Sequence, residues 1–387
     1  MEKVLIKNCG PVVTGHPSSP LTEAGTIWLE DGIIKYLGPA RNEDEKKAGA
    51  VIDAKGLTLC PGLIDAHAHP PLNDYLSSYK AVDWAENYMA GGITAIISTG
   101  PYRTPGLPET VAGAKALAVA ARDIWRHYRP KGIKVYAGAL LPVPGLTEAD
   151  FAELARAGIQ ILGEIGMSRL RDIGQAVETV ALAKKHGFVT TAHSGGASSP
   201  DCASYGAQEL KVINPDVICH INGAPTPMSD EDIEDMLTGG DYYYDIITHG
   251  NVRVTLDVVK LAVDYGKFNR LMLGTNTPSM AGYSPMGLWT NIAAIANMNP
   301  QIHPASIIAM ASGNVADCYD LKHGYLKEGY QADILFLDAA YPDDDVFQTL
   351  RAGNMPSVAS IMVDGRITMT SCKNTPGPSR RPEYCLK

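Results

Sequence analysis

Apolar and polar residues alternate near both ends of the chain, whereas its middle alternates between short apolar runs and amphipathic stretches. Lys3–Lys7 and Thr26–Glu30 show the period of two of a half-buried strand. The Asp31-Gly32 turn follows, Ile33–Leu37 resumes the pattern, and Ala50–Asp53 is a further short strand. Ala332–Asp338 and Val358–Gly365 have the same strand-and-turn texture. The two β-rich ends, residues 1–60 and 323–373, are expected to pair into one small β-sandwich. Residues 374–387, punctuated by Pro376, Pro378 and Pro382, are expected to form an extended C-terminal arm.

Between these ends lie eight candidate strands that finish in small or polar residues. They are Leu63–His69, Ile93–Thr99, Lys134–Leu141, Ile159–Gly166, Val189–Ser194, Val217–Asn222, Tyr242–Thr248 and Leu271–Asn276. Intervening stretches such as Pro108–Tyr128 and Leu170–His186 have helical spacing. The alternation predicts an α/β fold, a (β/α)8 TIM barrel over residues 61–322, with the small sandwich built from both chain ends beside it.

In such a barrel the chemistry sits at the C-terminal ends of the strands. The first strand ends in Asp65-Ala66-His67-Ala68-His69, which puts Asp65, His67 and His69 on one face. A lone His-x-His pair is weak evidence for a metal, so the later strands must supply further ligands. Their ends carry Glu164, His193, His220 and Asn276. A barrel of about 250 residues has roughly 31 residues per βα unit. Glu164 to His193 spans 29 residues and His193 to His220 spans 27, one unit each. His220 to Asn276 spans 56, two units, and His69 to Glu164 spans 95, three units. These residues therefore belong to strands 1, 4, 5, 6 and 8.

Four imidazoles and a carboxylate at one barrel mouth suit two divalent metal ions, zinc, iron or manganese, about 3.5–4 Å apart. His67 and His69 would hold one ion, His193 and His220 the other. Glu164 would bridge them, with a water lowered in pKa to a hydroxide nucleophile. Blander roles compete: Glu164 as a buried ion-pair partner, His193 as a helix cap, His220 as a satisfied core histidine. No basic residue flanks Glu164 within Leu162–Gly166. His186, His249 and His303 fall outside the register, and His186, before Gly187, suits a helix C-terminus.

Composition narrows the partners. The 387 residues are 45% hydrophobic and 19% charged with a net charge of −9, which disfavours nucleic acid and anionic membranes. No run approaches the ~18 apolar residues of a membrane span. The charged start Met1–Lys7 does not suit a signal peptide. Seven scattered cysteines without C-x-x-C spacing read as reduced thiols, so a cytoplasmic location is expected.

The Ile52–Gly56 turn, the Pro61-Gly62-Leu63-Ile64-Asp65-Ala66-His67-Ala68-His69 signature and Gly329–Ile334 together resemble the amidohydrolase superfamily over nearly the whole chain. Gly163–Gly166, the run from His220 to Thr226, Pro278-Ser279 and Asn374–Pro376 are similar to its enamidase branch, which opens the lactam ring of an oxo-tetrahydronicotinate. The resemblance implies His67, His69, Glu164, His193 and His220 as ligands of a two-metal site, Glu164 replacing the carbamylated lysine of many relatives. It also implies a homotetramer.

One position departs. Strand 8 of the family supplies an aspartate that binds a metal and shuttles a proton, and here Leu273–Thr277 offers Asn276. An amide can offer a neutral oxygen but cannot take a proton. The metal sphere then carries a net charge of about +2 instead of about +1, favouring an anionic or strongly polarised substrate. The expected function is ring opening of a small cyclic carbonyl compound with a conjugated leaving group. An enamide lactam is one reading, and carbon–carbon hydrolysis of a cyclic β-diketone is the alternative that Asn276 favours. A catalytically silent scaffold is the third. Asp245, His249, Asp74 and Tyr75 are candidate replacement proton carriers, although Asp245 equally suits bracing a ligand histidine. Tyr75, Arg103, Asn222 and Ser279 are the candidate substrate contacts, with Arg103 equally suited to a solvated loop.

Overall fold

The computed structural model describes residues 2–40, 44–70, 78–100, 106–167, 169–197, 202–223, 226–278 and 282–386. The barrel strands are β1 (Leu63–Ala68), β2 (Ile93–Ser98), β3 (Lys134–Tyr136), β4 (Ile161–Ile165), β5 (Val189–His193), β6 (Val217–Cys219), β7 (Tyr243–Ile247) and β8 (Leu271–Gly274). Neighbours pair in parallel within β1–β3 and within β4–β8. Parallel bridges Leu140↔Leu162 and Ala68↔Thr277 join the two arcs into a closed ring. Both faces of β1 and β2 are buried, one by helices and one by the barrel interior, so these strands read as apolar runs. The outer helices bury one stripe each. Val252–Asp264 turns Val254, Val258, Val259 and Ala262 inward, and Asn251 caps it by accepting from the amide of Val254.

Strands from both chain ends share two further sheets. In one, Glu383–Leu386, Ala50–Asp53, Lys3–Lys7, Thr26–Glu30 and Ile33–Gly38 lie in that order. The other runs Arg366–Met369, Ser357–Val363, Ile334–Asp338, Thr58–Pro61, Val12–Val13 and Leu21–Thr22. Ile6, Ile27, Leu29, Ile34, Leu59, Phe336 and Met362 form a common apolar core. Within the C-terminal arm, Glu383–Leu386 is thus an edge strand on Ala50–Asp53. Only Gly62 separates Thr58–Pro61 from β1, so this small sheet fixes where the His67-bearing strand starts. A side chain there would lie 2.1 Å from Thr94 Oγ1, which is why the junction carries none.

A buried polar cluster ties the barrel floor to those sheets. Lys134 Nζ reaches both carboxylate oxygens of Asp333 at 2.7 and 2.5 Å, and His323 Nε2 lies 2.7 Å from Tyr136 Oη. Burial, opposed by the Asp333 charge, lowers His323 to about 4. The unfolded chain therefore binds more protons than the folded one between pH 4 and 6.5, and stability falls as pH falls through that window. Acidification from pH 7 to 5 is expected to cost roughly 2 kcal/mol through this group. Denaturant titrations at the two pH values check it: His323→Gln should shrink the difference, and an unchanged difference would refute the assignment.

Candidate active site

Asp65 and His67 lie on β1 and His69 just past its end, and all three are buried. The pairing of β1 with β2 shifts register between Asp65 and Ala68, so simple strand alternation does not carry through the three residues. Asp65 faces β8. Its carboxylate accepts from Thr275 N at 2.9 Å, Thr275 Oγ1 at 2.5 Å and His67 N at 3.1 Å. Gly274 allows β8 to come this close, since a Cβ there would lie 2.5 Å from that of His67. Glu164 projects from β4 and His193 closes β5. His220 and Asn276 lie just beyond β6 and β8 with φ of 41° and 53°, left-handed turns that break the strand alternation.

These side chains converge. His220 Nε2 lies 2.9 Å from Glu164 Oε1, and His67 Nε2 lies 3.7 Å from the same oxygen. His193 Nδ1 is 3.2 Å from His220 Nε2, and His69 Nε2 is 2.9 Å from Asn276 Oδ1. The opposite nitrogens of three rings are held by protein acceptors. His67 Nδ1 is 2.9 Å from Asp245 Oδ2, His69 Nδ1 is 2.7 Å from Gly100 O, and His193 Nε2 is 3.2 Å from Gly196 O. Such anchoring fixes the tautomer and aims the other nitrogen at the centre. Asp245 also accepts from the backbone N–H of His220, so one carboxylate sets the positions of two histidines.

The field here favours a cation. Burial opposes charge on His67, yet Asp245 and Glu164 outweigh it and raise His67 to about 9. Burial alone would raise Glu164, but the His67, His220 and His69 rings hold it well below the carboxylate range. Burial and then the neighbouring His220 lower His193 to about 4, which keeps its ring neutral at pH 7. His67 Nε2 is buried without a hydrogen-bond partner. Ligand atoms of Glu164, His193 and His220 lie within 4.8 Å of one another, and so do those of His67, Glu164 and Cys219. An orphaned imidazole nitrogen beside a shared carboxylate is a donor set that fits divalent metal.

The remaining candidates lie elsewhere. Asn222 does not face this group: its Nδ2 donates to Ile247 O and Thr255 Oγ1, both at 2.9 Å, and its Oδ1 accepts from Ile247 N. It braces the end of β7 rather than offering groups to a substrate. Asp245 is likewise committed to two histidines rather than poised as a proton carrier. His249 is exposed in the turn after β7. Tyr75, Arg103, Ser279 and Asp74 lie outside the described residues. Two thiols escaped sequence reasoning. Cys219 precedes His220 and belongs to a donor group, and Cys202, on the connection after β5, lies 3.2 Å from His193 Nε2. Adjacency to His220 was the available signal for Cys219; Cys202 had none.

A closed barrel whose strand ends gather four histidines and a glutamate defines a hydrolase of the amidohydrolase type. The chain belongs to the amidohydrolase family, whose model matches residues 58–372. It is 35% identical over 388 residues to enamidase of Eubacterium barkeri, covering all of both chains. The solved structure of enamidase superposes with a TM-score of 0.94, covering 99% of this chain and 100% of that one. An adenine deaminase of Listeria monocytogenes is 25% identical over 329 residues, 81% of this chain and 51% of that protein. A β-aspartyl dipeptidase of Fervidobacterium islandicum, 17% identical with a TM-score of 0.66, shares the fold. No helix among the described residues is long and apolar enough to cross a membrane.

Proposed function

We propose that this chain opens the ring of a small cyclic amide conjugated to a double bond, using two divalent ions of zinc, iron or manganese. The observation that carries the two-ion reading is the place of Glu164, whose Oε1 faces both His220 and His67. Bound metal supplies Lewis acidity toward a carbonyl and activates water. Glu164, His193 and His220 would hold one ion, and His67 and His69 with Glu164 the other. Asp245 keeps His67 and His220 in register for that task. The lactam assignment draws on the 35% identity to enamidase.

Asn276 sets the chemistry apart. Its Oδ1 lies 2.9 Å from His69 Nε2, at the strand-8 position where the resemblance to the amidohydrolase superfamily implies a proton-carrying aspartate. An amide orients by hydrogen bonding but shuttles nothing. A leaving group that departs as a delocalised enamine or enolate needs less protonation than a simple amine. That observation also favours the second reading, hydrolysis of a cyclic β-diketone at carbon–carbon. Assaying an enamide lactam and a cyclic 1,3-diketone side by side separates them. Lactam opening without diketone cleavage is expected, and diketone cleavage alone would overturn the amide assignment.

A further inference from the structure

We propose that Cys202 is a positioning residue for the metal held by His193 and His220, an inference that rests on the two-metal reading above. Two nitrogens of His193 face different surroundings. Nδ1 lies 3.2 Å from His220 Nε2, toward Glu164, and is the nitrogen available to a metal. Nε2 points away and meets two acceptors, Gly196 O at 3.2 Å and Cys202 Sγ at 3.2 Å. A neutral imidazole carries one N–H, and the nitrogen that keeps it cannot bind metal. Two acceptors at Nε2 place the proton there and leave the Nδ1 lone pair free.

The sulfur is held for this task. Cys202 Sγ lies 3.3 Å from Ala203 O and 3.1 Å from Met167 Sδ, so its own proton has acceptors other than the imidazole. Ala203 N donates to Gly166 O at 2.7 Å, and Gly195 and Tyr205 exchange backbone hydrogen bonds at 2.9 and 3.0 Å. The segment bearing Cys202 is therefore pinned both to the residues that follow β4 and to those that follow β5. Small, buried and polarisable, a thiol accepts an N–H without bringing the charge of another carboxylate into a site that already holds Glu164, Asp245 and Asp65. His67 is braced by a carboxylate, and His193 by a carbonyl and a thiol. Removing the thiol should consequently loosen one ion and not the other.

The test uses wild type, Cys202→Ala and Cys202→Ser. Each is stripped with chelator and titrated with Co(II), following bound metal by elemental analysis and the visible ligand-field spectrum. Wild type should take up two ions. Cys202→Ala should bind one of them about 10–100-fold more weakly with an altered spectrum, the other remaining unchanged. Cys202→Ser, which restores an acceptor, should lie closer to wild type. Two ions bound by Cys202→Ala with wild-type affinities and spectrum would overturn the proposal, and so would equal weakening in the Ser and Ala variants. A wild type that binds fewer than two ions would overturn the two-metal reading itself. Should Cys202→Ala not fold, nitrogen NMR of chelator-treated wild type decides. His193 protonated at Nε2 supports the role, and protonation at Nδ1 overturns it.

Discussion

Glu164→Gln is expected to lower turnover by about 10³-fold and to strip metal from the protein while leaving the fold intact. The substitution keeps the volume of a side chain that is 1% exposed, so packing around β4 is preserved. What it removes is the negative charge toward which His67, His69 and His220 are turned, and that charge serves both donor groups. A ligand that served a single ion would leave the other bound and part of the activity intact. Loss of both ions is the signature of a shared carboxylate. Elemental analysis, circular dichroism and kcat on the same preparation check it. A variant that kept turnover within tenfold of wild type would remove Glu164 from the centre of the site.

Asn276→Asp is expected to raise hydrolysis of an unconjugated lactam by about 10²-fold or more, the contribution of a positioned general acid. The geometry favours acceptance. Asn276 occupies a left-handed turn with φ of 53°, a conformation that Asp tolerates nearly as well as Asn. Its backbone N–H is held by His67 O at 2.8 Å, so the new carboxylate would sit where the amide sits, beside His69 Nε2. Added negative charge also reduces the excess positive charge of a loaded site, so preference for an anionic substrate should fall. Measured kcat/KM on conjugated and unconjugated rings, for both proteins, tests the idea. No gain on the unconjugated ring would mean that Asn276 does not set the leaving-group requirement.

Much of this was readable in the sequence, and the reasons are physical. Barrel strands buried on both faces stand out as apolar runs, and the repeat of the βα unit converts residue spacing into strand number. That logic places His67, Glu164 and His193 on strands, as the structure has them, whereas His69, expected on the first strand, falls just past its end. It fails where the backbone leaves the regular path. The third strand was expected over Lys134–Leu141 but stops at Tyr136, because Gly138 turns at φ of 91° and pairing resumes only at Leu140. The sixth and eighth end before His220 and Asn276 for the same reason, local left-handed turns. Direction was the second blind spot. Asn222 sits two residues past His220, yet its amide turns to Ile247 and Thr255, which no linear pattern discloses. Cys202 reaches His193 only because the connection after β5 folds back on Gly195.

All of these readings depend on how many metal ions the site holds. The most direct measurement is the transition-metal content of purified protein after growth and loading with zinc, iron or manganese. Two equivalents per chain are expected, falling in Glu164→Gln; one equivalent or fewer in the loaded wild type would contradict a paired-metal hydrolase.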